Sequence, residues 1–261
     1  MAEAYERSFG RLCVGSNDAV LDAIADARLL DGRHPRLLDV GTGTGALARA
    51  AVTRGYAVDA IDAETTMVAH AKHISSGIEF AVGALPDLPY RDASFGAVAA
   101  NFVVNHVADP LASVIELARV STPGGVVVAT IWPSELSQMN ALWKHVIEAT
   151  DVDVPPGSRL APDKDFERTV DGLAGLFAAA GLADVTSARV DWEFTIGPDQ
   201  LWLAPEAGIA TIGKTYRAQS AEIQNRMHRA FSERTEELSE DGLLHFAATA
   251  IMATGTPLPR S

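Results

Sequence analysis

A single cysteine, Cys13, stands among 261 residues. That excludes an internal disulfide and every metal site built from several thiolates. Basic residues are scarce as well: 21 Lys and Arg against 34 Asp and Glu leave a formal net charge of -13. Nucleic acids and anionic membranes are held by clustered basic side chains, so this balance argues against both as partners. The grouping Arg33, His34 and Arg36 is too short to change that. Long apolar runs are missing too. Those near Ala97–Val104 and Val126–Trp132 fall far below the roughly 20 residues a membrane helix needs. The opening MAEAYERSFGRLC alternates charges and has no apolar centre, so it does not read as a secretory signal. A soluble, cytoplasmic protein is expected.

What is present has the balance of a globular protein, 48% hydrophobic and 21% charged. The length allows one large domain, or a domain with a cap, around a substantial core. The stretch to about Leu30 reads as helical, with Leu12, Leu21, Ile24 and Leu29 at near-helical spacing. Strands and helices then alternate. RLLDV, YAVDAID, GIEFAVG, FGAVAANFV and GGVVVATIW read as strands; TGALARAAVTRG, AETTMVAHAKHIS and DPLASVIELARV read as the helices among them. Apolar rather than alternating strands predict a parallel sheet covered on both faces. Ligands of such sheets bind beyond the carboxyl ends of the strands. After Trp132 the rhythm becomes irregular: a helix over 134–150, a loop to 165, a helix ending in LFAAAGL, and the strand DVTSARVDWEFT. Mostly helical pattern follows over 198–240, before a strand-like LLHFAATAIMATG. The reading is one domain over 1–261, with an N-terminal helical lid (1–30) and cap insertions at 134–165 and 198–240.

Three glycines, Gly41, Gly43 and Gly45, fall within five residues at the end of the first strand. Such a loop usually cradles a phosphate, yet Asp39 stands two residues before it. A carboxylate beside a pyrophosphate is an unfavourable pairing. A zwitterionic amino acid suits the place better, its amine to Asp39 and its carboxylate to the loop amides. The plainer alternative is that Asp39 caps the next turn. Asp62 ends the second strand, where a carboxylate can accept from both hydroxyls of a ribose.

The segment from Arg36 to Pro133 resembles the class I S-adenosylmethionine-dependent methyltransferases, especially the small-molecule branch that includes quinone-biosynthesis enzymes. LDVGTGTG is similar to the acidic glycine loop of that family, IDAETTMVAHA to its second-strand segment, and VGALPDLPYRDASFGAV to its third motif. NHVADPLASVIELARVSTPGGVVVATIW resembles its fourth and fifth strands with the helix between. The resemblance implies a doubly wound, seven-stranded Rossmann-like α/β sheet, last strand antiparallel, with a helical cap. It implies S-adenosyl-L-methionine as cofactor and no metal. Gly41, Gly43 and Gly45 would admit the methionine part and Asp39 would orient its amine. Asp62, followed by Ala63, would hold the ribose. Met67 and Leu85 would enclose the adenine, and Asn101 would line the methionine side by its backbone. The family commonly has an acid at the place of Ala84 and an aspartate at that of Gly96; adenine recognition would here rest on the backbone of Ala84 and Leu85.

Methyl transfer from a sulfonium needs alignment, exclusion of water and, for some acceptors, one base. His106, just past the fourth strand, is the candidate base; its plainer role is to shape the loop by bonding to backbone. His70 and His73 on the second helix receive no role. Tyr5 and Phe9 could face a lid or pack in a core. Trp132, Trp143, Trp192 and Trp202 gather in the second half and suggest an apolar pocket. The expected reaction is methylation of a small-molecule acceptor, oxygen slightly favoured over nitrogen or carbon, with oligomeric state open. Two alternatives stand beside it. Gly41-x-Gly43-x-x-Ala46 is also an acceptable dinucleotide fingerprint of an NAD(P)-dependent oxidoreductase, opposed by Asp39 and by the lack of a downstream Tyr-x-x-x-Lys pair. A non-catalytic methyltransferase-like binding protein is the other.

Overall fold

The computed structural model describes residues 1–27, 36–152, 154–155 and 160–259. Their contacts divide into two compact units. One comprises Ser16–Ser134, Leu160–Val190 and Thr249–Ser261; the other comprises Met1–Gly15, Glu135–Arg159 and Asp191–Ala248.

The first is an α/β unit. Helix α3 (Asn17–Asp26) precedes β1 (Arg36–Val40), α4 (Ala46–Thr53), β2 (Ala57–Asp62), α5 (Thr65–Ile74), β3 (Ile78–Val82) and β4 (Phe95–Asn101). Then come α6 (Pro110–Val120), β5 (Ser121–Ile131), α8 (Val170–Ala179), β6 (Leu182–Ile196) and β7 (Leu244–Pro257). The sheet order is β3-β2-β1-β4-β5-β7-β6, with β1 to β5 parallel and β7 antiparallel to β5. This is the doubly wound sheet expected. The chain builds one way from β1 to β3 and the other way from β4, so β1 and β4 flank the switch point.

Alternation along the strands sends neighbours to opposite faces. Leu38, Val98 and Val127 pack with Val114 and Leu117 of α6 and Leu173 and Phe177 of α8. Leu37, Ala97 and Val126 pack with Leu21 and Ile24 of α3 and Leu47 and Ala51 of α4. A leucine buried as fully as Leu37 or Leu38 contributes about 1.5–3 kcal/mol. Arg36 belongs to no basic patch: it forms a two-pronged pair with Asp59 at 3.0 and 2.6 Å. Arg33, His34 and Leu29 fall outside the described residues.

The second unit is mainly helical: α1 (Ala2–Arg7), α2 (Phe9–Val14), α7 (Gln138–Thr150), α9 (Pro198–Glu206), α10 (Ala210–Arg217) and α11 (Ala221–Leu238), with parts of β6 and β7. Rings fill it. Phe231 stacks on Trp143 at 5.3 Å and tilts against Trp202 at 4.7 Å, and Phe9 reaches Trp143 at 6.3 Å. Tyr5 instead bonds Cys13 through its hydroxyl at 3.7 Å.

Three expectations are corrected. The N-terminal helical stretch is three helices, α1 to α3. Ser8 interrupts it at φ -119°, ψ -102°, returning its N–H to the Tyr5 carbonyl, and the chain turns again at Gly15. A side chain at Gly15 would meet the Trp192 ring at 2.1 Å, so close approach fixes the glycine there. The helix expected from 134 begins at Gln138, where the Ser137 hydroxyl accepts the Asn140 N–H as a cap. The four tryptophans do not form one group. Trp132 lies in the α/β unit and stacks on Phe102 at 3.9 Å.

Candidate functional site

The unusual residues collect where β1, β2 and β4 end. Asp39 is 1% exposed, and its carboxylate accepts the Thr42 hydroxyl at 2.6 Å. Burial pushes its pKa up to about 7; the Thr42 bond opposes this and the negative Asp62 adds to it.

Gly41, Gly43 and Gly45 all take positive φ, 69°, 56° and 82°, which a side chain disfavours. At Gly41 there is a second reason: a Cβ would lie 2.3 Å from Val103 Cγ2. The close neighbour at that glycine is therefore a side chain from beyond β4. The loop amides are already engaged. Gly41 and Thr42 donate to the Ile61 carbonyl at 2.8 and 3.0 Å, and Gly45 donates to Thr42 at 2.8 Å. Gly43 donates to Asp62 Oδ2 at 2.8 Å. These four amides thus donate within the protein and form no free phosphate cradle.

Asp62 also accepts the Glu64 amide on Oδ1 at 2.8 Å. Each carboxylate oxygen carries two lone pairs, so both keep capacity for a further donor. Ala63 is exposed, and Met67, in the first turn of α5, is half-buried.

The segment after β3 is pinned from α6. Glu116, 8% exposed, accepts the Leu88 amide at 2.7 Å. Arg119 donates to both Glu116 oxygens at 2.6 and 2.7 Å, to the Tyr90 and Leu88 carbonyls at 2.9 and 3.2 Å, and to Asp92 at 2.6 Å. Ala84 is exposed at the start of this segment; Leu85 is half-buried and packs on the sheet core.

At the end of β4, Phe102 has φ 59°, in the left-handed region, uncommon for a residue of this size. Its N–H is shared between the Thr130 carbonyl at 3.1 Å and the Thr130 hydroxyl at 2.9 Å. N–H and C=O of a trans peptide point in opposite directions. The Asn101 carbonyl therefore faces away from β5, toward β1. Asp39 of β1 is level with Ala99, and β1 ends at Val40. The carbonyl thus looks into the gap where the glycine loop turns off toward β2.

His106 follows in a turn closed by its own N–H on the Val103 carbonyl at 2.8 Å. Its ring is exposed at the surface, yet the protein around it lowers its pKa below 6.5 by desolvation. The neutral ring is the form that accepts a proton. Asp109 ends the turn by capping α6 at the Ala112 amide, 3.0 Å, and pairs with Lys164 at 2.9 Å. His70 and His73 lie on α5.

Sequence reasoning missed Ser16, Asn17, Glu116, Arg119 and Thr130. Thr130 had a signal, a hydroxyl within the apolar run VVVATIW; Asn17 had none. A cavity of about 270 Å³ lies elsewhere, within the helical unit, between residues such as Leu142, His145, Arg234 and Phe246. None of its lining residues comes from β1, β2 or β4. Among the described residues no group of three or more His, Cys, Asp or Glu is placed to hold a metal, and no helix is long and apolar enough to cross a membrane.

A doubly wound sheet with a carboxylate-flanked glycine loop at its switch point defines a class I methyltransferase fold, and comparison with known proteins agrees. Residues 38–129 match the family described as "Methyltransferase domain". The chain is similar to a malonyl-[acyl-carrier protein] O-methyltransferase of Erwinia pyrifoliae, 31% identical over 71% of this chain and 73% of that one. A demethylmenaquinone methyltransferase of Beutenbergia cavernae is 35% identical over 57% of this chain and 62% of that protein. Of a second malonyl-[acyl-carrier protein] O-methyltransferase, from Serratia marcescens, the chain spans only 59%. Among solved structures, the YcgJ protein of Bacillus subtilis superposes with a TM-score of 0.57 at 20% identity, covering 93% of this chain and 99% of that one. Phosphoethanolamine N-methyltransferase 2 of Haemonchus contortus, solved with S-adenosyl-L-methionine, gives 0.52 at 18% identity, over 93% of this chain and 52% of that one. The chain belongs to the class I S-adenosylmethionine-dependent methyltransferases.

Proposed function

We propose that the strand ends of the α/β unit bind S-adenosyl-L-methionine and that the protein methylates a small molecule, with an oxygen acceptor favoured. The observation that carries the site assignment is its set of acceptors. Asp39, Asp62 and the Asn101 carbonyl offer oxygen to donors, while four loop amides are spent within the protein. Such a set suits an ammonium and two ribose hydroxyls and opposes a pyrophosphate. Asp39 and the Asn101 carbonyl would meet the amine, and Gly41, Gly43 and Gly45 let the loop turn beneath it. Asp62 and Ala63 would face the ribose, with Met67, Ala84 and Leu85 around the adenine. The bound cofactor supplies an activated methyl group. The chain's own tasks are then to orient the acceptor in line, keep water out and, for a hydroxyl acceptor, take its proton.

His106 Nδ1 or Nε2 would take that proton, from the turn just past β4 that its own N–H closes on Val103; desolvation lowers its pKa, which favours the neutral ring. Names among the relatives favour oxygen in one case, the malonyl-[acyl-carrier protein] O-methyltransferase. In this reading the α/β unit binds the cofactor. The acidic chain suits no nucleic acid or anionic membrane.

Calorimetry with S-adenosylhomocysteine and with NAD(P) is the direct test. Saturable binding of the adenosyl ligand alone is expected; binding of NAD(P) alone would overturn the assignment. Once an acceptor is known, His106→Ala and His106→Gln should each lose about 10²–10⁴-fold in turnover with cofactor affinity unchanged. Near-normal turnover in both would return His106 to a role in shaping the turn.

A further inference from the structure

Asn101 does more than end β4. Its side chain turns into the α/β unit and is held on three sides. Its Oδ1 accepts the Ser16 hydroxyl at 3.0 Å and the Thr130 hydroxyl at 2.5 Å, and its Nδ2 donates to Asn17 Oδ1 at 3.2 Å. Ser16 and Thr130 are fully buried and Asn17 is 6% exposed. The same Thr130 hydroxyl accepts the N–H of Phe102, the residue in the left-handed conformation. One buried cluster therefore fixes both the side chain of Asn101 and the peptide that directs its carbonyl.

We propose that Ser16, Asn17 and Thr130 are positioning residues for the amino-acid end of the cofactor, acting through Asn101. The inference rests on the assignment of the Asn101 carbonyl to the cofactor amine. The physical reason is twofold. A left-handed Phe102 is costly and persists only where its surroundings over-determine it. The shared N–H on Thr130 and the clamp on Asn101 supply that constraint from either side of the peptide. A buried polar network is also sensitive to the loss of any member, since the remaining groups lose their partners. Removing the Thr130 hydroxyl deprives Asn101 Oδ1 of one donor and Phe102 of one acceptor. The Phe102 N–H then keeps only the Thr130 carbonyl at 3.1 Å, and the peptide holds the Asn101 carbonyl less firmly in the direction set by the sheet. Removing the Asn17 side chain frees Nδ2 with the same consequence by another route. Ser16 and Asn17 open α3, the first helix of the α/β unit, so order at that helix start and capture of the amino-acid end are energetically coupled.

The experiment compares two probes that differ at the relevant end: S-adenosylhomocysteine, which carries the amino acid, and 5′-methylthioadenosine, which lacks it. Both are titrated calorimetrically into the intact protein and into Thr130→Val, Asn17→Ala, Ser16→Ala and Thr130→Ser. Thr130→Val and Asn17→Ala are expected to bind S-adenosylhomocysteine about tenfold more weakly, the loss of roughly one to two hydrogen bonds, with methylthioadenosine affinity unchanged. Thr130→Ser, which keeps the hydroxyl, should retain both. Equal loss of both probes would reveal a general lesion and overturn the proposal, as would unchanged S-adenosylhomocysteine affinity in folded variants. If Thr130→Val does not fold, Ser16→Ala and Asn17→Ala decide by the same ratio. Failure of the underlying assignment looks different: the unaltered protein would bind neither probe, or would hold methylthioadenosine as tightly as S-adenosylhomocysteine.

Discussion

The two units are built from different materials. The α/β unit packs Ala, Val, Leu and Ile on both faces of its sheet and fastens its polar residues to main-chain groups: Asp62 to two amides, Glu116 to one, Thr130 to the Phe102 N–H. The helical unit is filled by rings, with Phe9, Trp143, Trp202, Tyr216, His228 and Phe231 in one connected series. A site made of backbone and short side chains keeps its shape when one ligand-facing group is changed. A core of few large rings concentrates its stability in few residues. Substitutions in the first unit should therefore alter ligands, and those in the second should alter folding.

That contrast can be broken at its strongest point with Phe231→Ala. Phe231 is 2% exposed and meets both tryptophans. Truncating a buried phenylalanine costs about 3–5 kcal/mol, to be read from the denaturation midpoint. A loss below ~1 kcal/mol would show that the rings do not hold the unit. On the other side, Asp62→Ala should lower the midpoint less than Phe231→Ala, although the Gly43 and Glu64 amides lose their acceptor, and weaken S-adenosylhomocysteine binding by at least tenfold, since a hydrogen bond to a charged group contributes about 1.5–3 kcal/mol. An unaltered dissociation constant in the folded variant would remove Asp62 from the ribose.

The smallest effect is a pH dependence. The folded pKa of Asp39, about 7, lies above the ordinary 3.8. Its protonated form therefore favours the ligand-free fold: that contribution is complete below 3.8 and is lost as pH rises through 7. An ammonium ligand favours the ionised form instead. Affinity for S-adenosylhomocysteine should rise as pH climbs from about 5.5 to 7.5, by at most tenfold per unit, and then level off, with proton release in calorimetry across buffers. A flat profile that persists in Asp39→Asn would separate Asp39 from the amine.

Much of the α/β unit was legible in the sequence. RLLDV became β1 without change, and the other early strands and helices shifted by only a few residues, because each apolar run is local and its glycine or proline stop lies beside it. The helical unit was less so. Its core joins residues as distant as Phe9, Trp143 and Phe231, and no local period announces such meetings. The same holds at the site. Asp39, the glycines and Asp62 stand at strand ends marked by their own neighbours. Asn17 meets Asn101 across 84 positions, and nothing near either residue marks the other.

Arg119 shows what a single side chain can release elsewhere. Its five N–H groups make five hydrogen bonds, two of them to main-chain carbonyls of the segment after β3. That segment is thus held in part through its backbone, beside Leu88 in the core and Leu85 and Tyr90 packed against it. A chain with Ala84 in place of the family's acid can still present the same main chain there. The constraint has moved to the guanidinium. Lysine has three donors at one point and cannot span Leu88, Tyr90, Asp92 and Glu116 together.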